Sequence, residues 1–299
     1  MENGGHLESY GNLSAWGSER LLATDFIRST AGLGWHLDRA RFDGDLQGAA
    51  TGAGARLLKE GVRKIRREQD GFSLTLDSGD AIYASRVIDS SGRSARIASQ
   101  LGARVERGDD LMAIYAWVPS RDVDTRSLIE STPEGWWYTA LLNGTRVVMF
   151  FSSAAQISAL KHDPVAWREQ LDATTHIRHF LQGSGALDLH CGPAFSQRLS
   201  HFAGDGWCAA GDAAMAFDPL SSQGIFNALY TGMKASEVAL GLTSWRNYSL
   251  ELDKIYLSYL AHSQLYYAAE TRWANRPFWQ SRLFLVETPL CCRRYIDRS

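Results

Sequence analysis

Two carboxylates and a helix start rich in backbone amides fall within one stretch of this sequence. From Gly206 to Leu242 it reads GWCAAGDAAMAFDPLSSQGIFNALYTGMKASEVALGL. Trp207-Cys208-Ala209-Ala210 is a short apolar run closed by Gly211-Asp212, the pattern of a buried strand end. Pro219 fixes its own φ and biases Asp218 away from the helical region. Ser221-Ser222-Gln223-Gly224 then leads into Ile225–Ala235, a run with helical apolar spacing and many small residues, suited to lie close against a neighbour. An acidic residue just past a strand can accept hydrogen bonds from ligand hydroxyls. The free N–H groups of a helix start stabilise negative charge. Such a site suits a ligand with a polyol chain at one end and a ring that becomes anionic at the other.

A flavin has that form. Its ribityl hydroxyls would meet Asp212, and its N1/C2=O edge the helix start near Gly224 and Ile225. The segment GDAAMAFDPLSSQGI resembles the GD…DP…G region of FAD-dependent monooxygenases of the p-hydroxybenzoate hydroxylase superfamily. Within it, the chain is similar to the branch of the tryptophan halogenases and of the tryptophylquinone-maturation flavoproteins that hydroxylate a peptidyl tryptophan. The resemblance implies FAD as cofactor. It implies that Gly211-Asp212 contacts the ribityl chain and that Pro219, Gly224 and Ile225 line the isoalloxazine through backbone atoms.

The elements that must position this site can be sought along the whole chain. With 299 residues there is room for one large domain or two ordinary ones. A composition 45% hydrophobic and 21% charged is that of a globular protein. The net charge of −2 argues against nucleic acid as a partner. No apolar run is long enough to span a bilayer, and Met1–His6 lacks a signal pattern, so the expected location is cytoplasmic. Cys191, Cys208, Cys291 and Cys292 show no CxxC spacing and no nearby histidine pair, so no metal site is expected.

Arg39-Ala-Arg-Phe42-Asp-Gly-Asp-Leu46 with Ala49-Ala50 sets apolar residues on one helical face. In the superfamily this pattern follows the first nucleotide-binding unit, and the arginine matching Arg39 sits near FAD. Val62 to Asp89 reads as a three-strand meander closed by a buried strand, Arg86-Val87-Ile88-Asp89. The resemblance places the following Ser91-Gly92-Arg93 near the cofactor, at the carboxyl end of a parallel sheet. Leu111 to Ser153 alternates as strands do, with an Asn143-Gly144 turn signal. In the family this sheet roofs the substrate cavity, which makes Trp136, Trp137 and Tyr138 candidates for its wall. Pro164–Leu181 reads as an amphipathic helix, Leu187–Leu199 as a return to the sheet, and Tyr248–Trp273 as a further helix.

Two departures from the family pattern shape the expectations. The superfamily opens with a strand, a GxGxxG turn and a helix that hold the FAD pyrophosphate. This sequence contains no such motif; Gly52-Ala53-Gly54-Ala55 stands elsewhere and follows no strand. A fragment, a misassigned start or a degenerate relative would each read this way. The halogenase WxWxIP element is matched here by Trp136-Trp137-Tyr138-Thr139-Ala140-Leu141, with tyrosine for the second tryptophan and no Ile-Pro.

The expected fold is thus α/β (α+β). It is an N-terminally incomplete, Rossmann-like FAD/NAD(P)-binding fold with an antiparallel substrate-domain sheet and a helical C-terminus. The expected divisions are a partial FAD-binding domain over 1–110, the substrate sheet over 111–200, the GD/DP segment over 201–245 and a helical region over 246–299. The leading function is hydroxylation of an aromatic substrate, free or carried on a peptide or carrier protein, through a flavin hydroperoxide. A flavin reductase or NAD(P)H would supply electrons. Halogenation, isoprenoid reduction and a non-catalytic flavoprotein remnant are the alternatives. No catalytic acid or base stands out; His36, His201 and His262 read as structural or surface residues.

Overall fold

A computed structural model gives the fold and describes residues 5–26, 32–181 and 187–283; Cys291 and Cys292 lie outside these. Among the described residues the helices are α1 (Arg39–Gly52), α2 (Arg96–Gln100), α3 (Ala154–Lys161), α4 (Pro164–Asp172), α5 (Gly224–Ala239), α6 (Trp245–Ala269) and α7 (Pro277–Leu283). The chain divides into two compact units. One takes Met1–Leu57, Leu111–Pro193 and Tyr266–Ser299; the other takes Leu58–Asp110 and Ala194–Leu265.

The first unit is built on a seven-stranded sheet in the order 190–193, 111–119, 145–153, 135–142, 127–132, 11–15, 22–25. The middle of it is the antiparallel sheet that the alternation in 111–153 predicts. Asn143-Gly144 makes the hairpin turn between Leu142 and Thr145, with Gly144 at φ +75°, a region glycine enters without cost. Alternate residues of these strands, among them Ile114, Val118, Trp137, Val148 and Phe150, form one buried layer with Ile157 and Leu160 of α3 and Trp167 and Leu171 of α4. Gly11–Ala15 joins the sheet parallel to Ser127–Thr132, with Asn12 opposite Ser127.

The helix expected over Pro164–Leu181 stops at Asp172, and a single 3-10 turn follows at Ile177–Leu181. The buried carboxylate of Glu130 accepts the amides of Thr175, His176 (3.0 Å) and Ile177 (2.9 Å), donors a continuing helix would have used. Thr174 Oγ1 also donates to Leu171 O at 2.7 Å, so the side chain competes with the next helical turn. The helix expected over Tyr248–Trp273 is α6, ending at Ala269. Helix α1 forms where the sequence places it, capped by Asp38, whose side chain accepts from Arg41 N. None of its residues is buried, so the face of Phe42, Leu46, Ala49 and Ala50 contributes no core.

The second unit opens with the expected meander, Val62–Glu68, Gly71–Leu76 and Ala81–Ala84. Val87–Asp89 then leaves it and pairs in parallel with Trp207–Ala209, Ile88 facing Cys208. This parallel pair is the α/β signature of the fold. Its core gathers Phe72, Val87, Ala98, Trp207, Cys208, Ala209, Val238, Tyr248 and Leu252, so α2, α5 and α6 all pack around the strand that leads into Gly211-Asp212.

Candidate functional site

The corner after Trp207–Ala209 is held from behind. Tyr248 Oη donates to Ala209 O at 2.7 Å, and Ala210 N donates to Asp89 O at 2.9 Å. Gly211 N donates to Thr231 Oγ1 at 2.7 Å, and that hydroxyl donates on to Asn227 O at 2.6 Å. Gly211 sits at φ +59°, and a Cβ there would meet Ala228 Cβ at 3.4 Å. The left-handed turn therefore favours glycine, while α5 lies at ordinary van der Waals distance from where a Cβ would stand.

This bracing sends the Asp212 side chain outward, 42% exposed, with Arg93 Nε 3.9 Å from its carboxylate. Arg93 lies in the Ser91-Gly92-Arg93 turn. Its guanidinium donates to Phe195 O and lies 5.3 Å from the Phe195 ring centroid. Burial lowers the Arg93 pKa, and Asp212 works against that. The turn is positioned by Asp89, a buried carboxylate that accepts Ser91 N at 2.9 Å, Ile97 N at 3.0 Å and Ala98 N at 2.7 Å. Asp89 is thus a structural anion at the start of α2, whereas Asp212 presents its charge to solvent.

Asp218 is buried, and Oδ1 accepts Leu220 N at 2.9 Å, closing the 3-10 turn Pro219–Ser221. Ser222 follows in the left-handed region at φ +53° and swings the chain into α5. No side chain caps α5 at Gln223, so the amides of its first turn have no intrahelical or side-chain acceptor. An added Cβ at Gly224 would meet nothing within 4 Å, so the space before the helix is open. Gly211, Asp212, Pro219, Gly224 and Ile225 all belong to the second unit, where Gly211 packs against Ala228 of α5.

The other sequence candidates belong to the first unit. Arg39 opens α1, exposed and paired to Asp43 at 3.1 Å one turn on. Trp136 and Trp137 point to opposite faces of their strand. Trp136 stacks on Phe151 at 3.9 Å and donates from Nε1 to Tyr267 Oη at 3.1 Å. Trp137 stacks on Phe150 at 4.7 Å and leans on Trp167 at 5.5 Å. Both indoles are buried among aromatic neighbours, while Tyr138 is half-buried and its phenol pushed up to about 12 by burial, against the pull of Arg146. No sequence pattern singles out Glu270. Glu270 is a buried carboxylate held by Gly17 N at 2.7 Å, by Ser131 Oγ and by a bidentate Arg272.

The chain matches the family model described as tryptophan halogenase over residues 18–282. It is 28% identical over 288 residues to a putative FAD-dependent oxidoreductase, LodB, of Marinomonas mediterranea, covering 92% of this chain and 78% of that protein. The fold matches the peptidyl tryptophan dihydroxylase QhpG, described as essential for tryptophylquinone cofactor biogenesis, with TM-score 0.78 and 22% identity. That match spans 93% of this chain but 64% of QhpG. The myxobacterial chondrochloren halogenase CndH superposes with TM-score 0.81 at 20% identity, covering all of this chain and 75% of that one. With its matched region running through both units, the chain belongs to the tryptophan halogenase family.

Proposed function

We propose that this chain is a flavin-dependent monooxygenase that hydroxylates an aromatic ring, either of a small molecule or of a tryptophan presented on a peptide or carrier. Family membership makes it an FAD-dependent oxidoreductase and makes flavin-dependent modification of an aromatic substrate its broad chemistry. The residues present fit the ribityl and ring end of FAD. Asp212 offers an outward carboxylate, the start of α5 offers uncapped amides, and Gly224 leaves room in front of them. That joint presentation is the observation that carries the reading. The sequence offers no GxGxxG turn, so the diphosphate end is assigned to no residue of this chain.

Bound FAD would supply the activation of oxygen. The protein's part is to place it. Asp212 accepts hydrogen bonds from ribityl hydroxyls, Gly211 lets the backbone approach, and Pro219 orients the turn. The amides of Gly224 and Ile225 stabilise negative charge at the ring edge. Arg39, Trp136, Trp137 and Tyr138 remain proposed contacts of cofactor and substrate. Electrons would come from a flavin reductase or NAD(P)H. Among the described residues no helix is long and apolar enough to cross a membrane, and a cytoplasmic site of action is part of the proposal.

Hydroxylation is preferred because Trp136–Leu141 departs from the halogenase WxWxIP element. The family model favours halogenation as the second reading. Product analysis with indole and peptidyl-tryptophan substrates, with and without halide, separates them. A hydroxylated product formed independently of halide is expected; a halogenated product overturns the preference. The cofactor assignment is tested by titrating FAD into the purified chain and Asp212→Ala. The variant is expected to bind FAD at least tenfold more weakly, the size of one or two lost charge-assisted hydrogen bonds. Equal affinity would disprove the role of Asp212.

A further inference from the structure

Behind the Asp218-Pro219 turn runs a chain of side chains that the reading above leaves unused. Asp218 N donates to Tyr259 Oη at 3.0 Å. Tyr259, on α6, also stacks its ring on Phe217 at 4.3 Å with the planes 16° apart. Ser196 lies beside its hydroxyl. Ser196 gives both its amide (2.8 Å) and its hydroxyl to Asp109 Oδ2, and its carbonyl accepts Gly108 N at 2.9 Å. Tyr259, Ser196 and Asp218 are all buried, and all four residues lie in the second unit.

The donors fix one direction through this chain. The Ser196 proton is committed to Asp109, so Ser196 Oγ is left to accept the Tyr259 hydroxyl proton. The Tyr259 oxygen then accepts the Asp218 N–H. Each bond polarises the next, with the Asp109 carboxylate at the end, so the tyrosine oxygen is a stronger acceptor than an isolated phenol. Burial raises the Tyr259 pKa and keeps the phenol neutral, as this order of donors requires.

The peptide so held is the one before Pro219. Proline has no N–H and leaves Asp218 few conformations, so fixing the Phe217–Asp218 peptide fixes where the turn and the start of α5 are aimed. We infer that Tyr259 is a positioning residue for this turn, acting with Ser196 and Asp109 to hold the Gly224 and Ile225 amides where a flavin ring edge would meet them. The inference rests on the cofactor reading above.

Tyr259→Phe keeps the ring stack and removes the acceptor, so the fold is retained. Two measurements on the full chain test it. The first is amide hydrogen exchange without added cofactor. Exchange across 217–224 should rise about tenfold in Tyr259→Phe, with the strands of 111–153 unchanged. The second is FAD titration by fluorescence. The dissociation constant should rise about tenfold in Tyr259→Phe, equivalent to about 1.4 kcal/mol. In Ser196→Ala it should rise about threefold, and the double variant should be no weaker than Tyr259→Phe, because both cut one chain. Parent-like exchange in 217–224 overturns the inference, as does faster exchange with unchanged FAD affinity in a chain that binds FAD. Asp212→Ala separates the two readings. If parent and Asp212→Ala take up FAD alike, the cofactor assignment falls, and the exchange data then decide on Tyr259 alone.

Discussion

The corner at Gly211–Gly224 and the strand Gly135–Leu142 are both rich in family-like residues, yet they are built in opposite ways. The corner uses small side chains and is braced from one side by hydroxyls: Thr231, Tyr248 and Tyr259 take or give hydrogen bonds to its backbone. Its other side is left with an exposed carboxylate and unpaired helix-start amides. The strand is filled on both faces, Trp136 against Phe151 and Trp137 against Phe150 and Trp167. A region braced on one side is poised to receive a ligand. A region stacked on both sides already holds its partners, and its tryptophans act first as core.

Trp137→Ala should produce the largest effect. Removing a fully buried indole costs about 3–5 kcal/mol, and denaturant unfolding should show that loss. A loss near zero would mean that Trp137 faces a vacancy and would erase the contrast with the corner. Glu270→Gln comes next, because it strips charge from a carboxylate that binds Gly17 N, Ser131 and Arg272, and should cost about 1.5–3 kcal/mol. Burial raises the Glu270 pKa, but the hydrogen bonds from Arg272, Ser131 and Gly17 outweigh it, and the net shift is downward. The stabilisation is therefore present above the ordinary carboxylate range and fades as pH falls through the lowered folded-state value. Melting curves of parent and variant should converge on acidification; parallel curves would refute the assignment.

Asp212→Ala sharpens the comparison from the other side. It should change stability by no more than about 0.5 kcal/mol, as surface substitutions do, while weakening FAD binding. Ser222→Gly should have the smallest effect. At φ +53° serine carries a left-handed penalty that glycine does not, offset by the greater freedom of glycine in the unfolded chain. A gain of up to about 1 kcal/mol is expected in unfolding experiments; a loss would show that the serine side chain does more than the turn requires.

The features legible in the sequence are those whose cause is local. Asn143-Gly144 announces its hairpin, Gly211-Asp212 ends its strand, and the 62–89 meander follows from alternation and turn residues. Features set by distant partners were not legible. The early end of α4 depends on Glu130, more than 40 residues upstream of the amides it takes. Gly11–Ala15 becomes a strand because Ser127–Thr132 accepts it in parallel. In the site, the motif spacing pointed to Asp212 and the α5 start. The family resemblance pointed to Arg93 as well, whereas Tyr259 and Asp109 reach the same corner through tertiary contacts that no spacing rule encodes.

The interleaving of the two units has a consequence for how the chain is made. Gly17 N awaits the carboxylate of Glu270, 253 residues later, and Trp16 awaits Tyr266 O. At about 5–20 residues per second, a ribosome takes roughly 13–50 s to bridge that interval. The second unit ends at Leu265 and is complete in sequence before Glu270 emerges. During synthesis the Trp16 indole and the Gly17 amide therefore stand by while a later-encoded unit can close first.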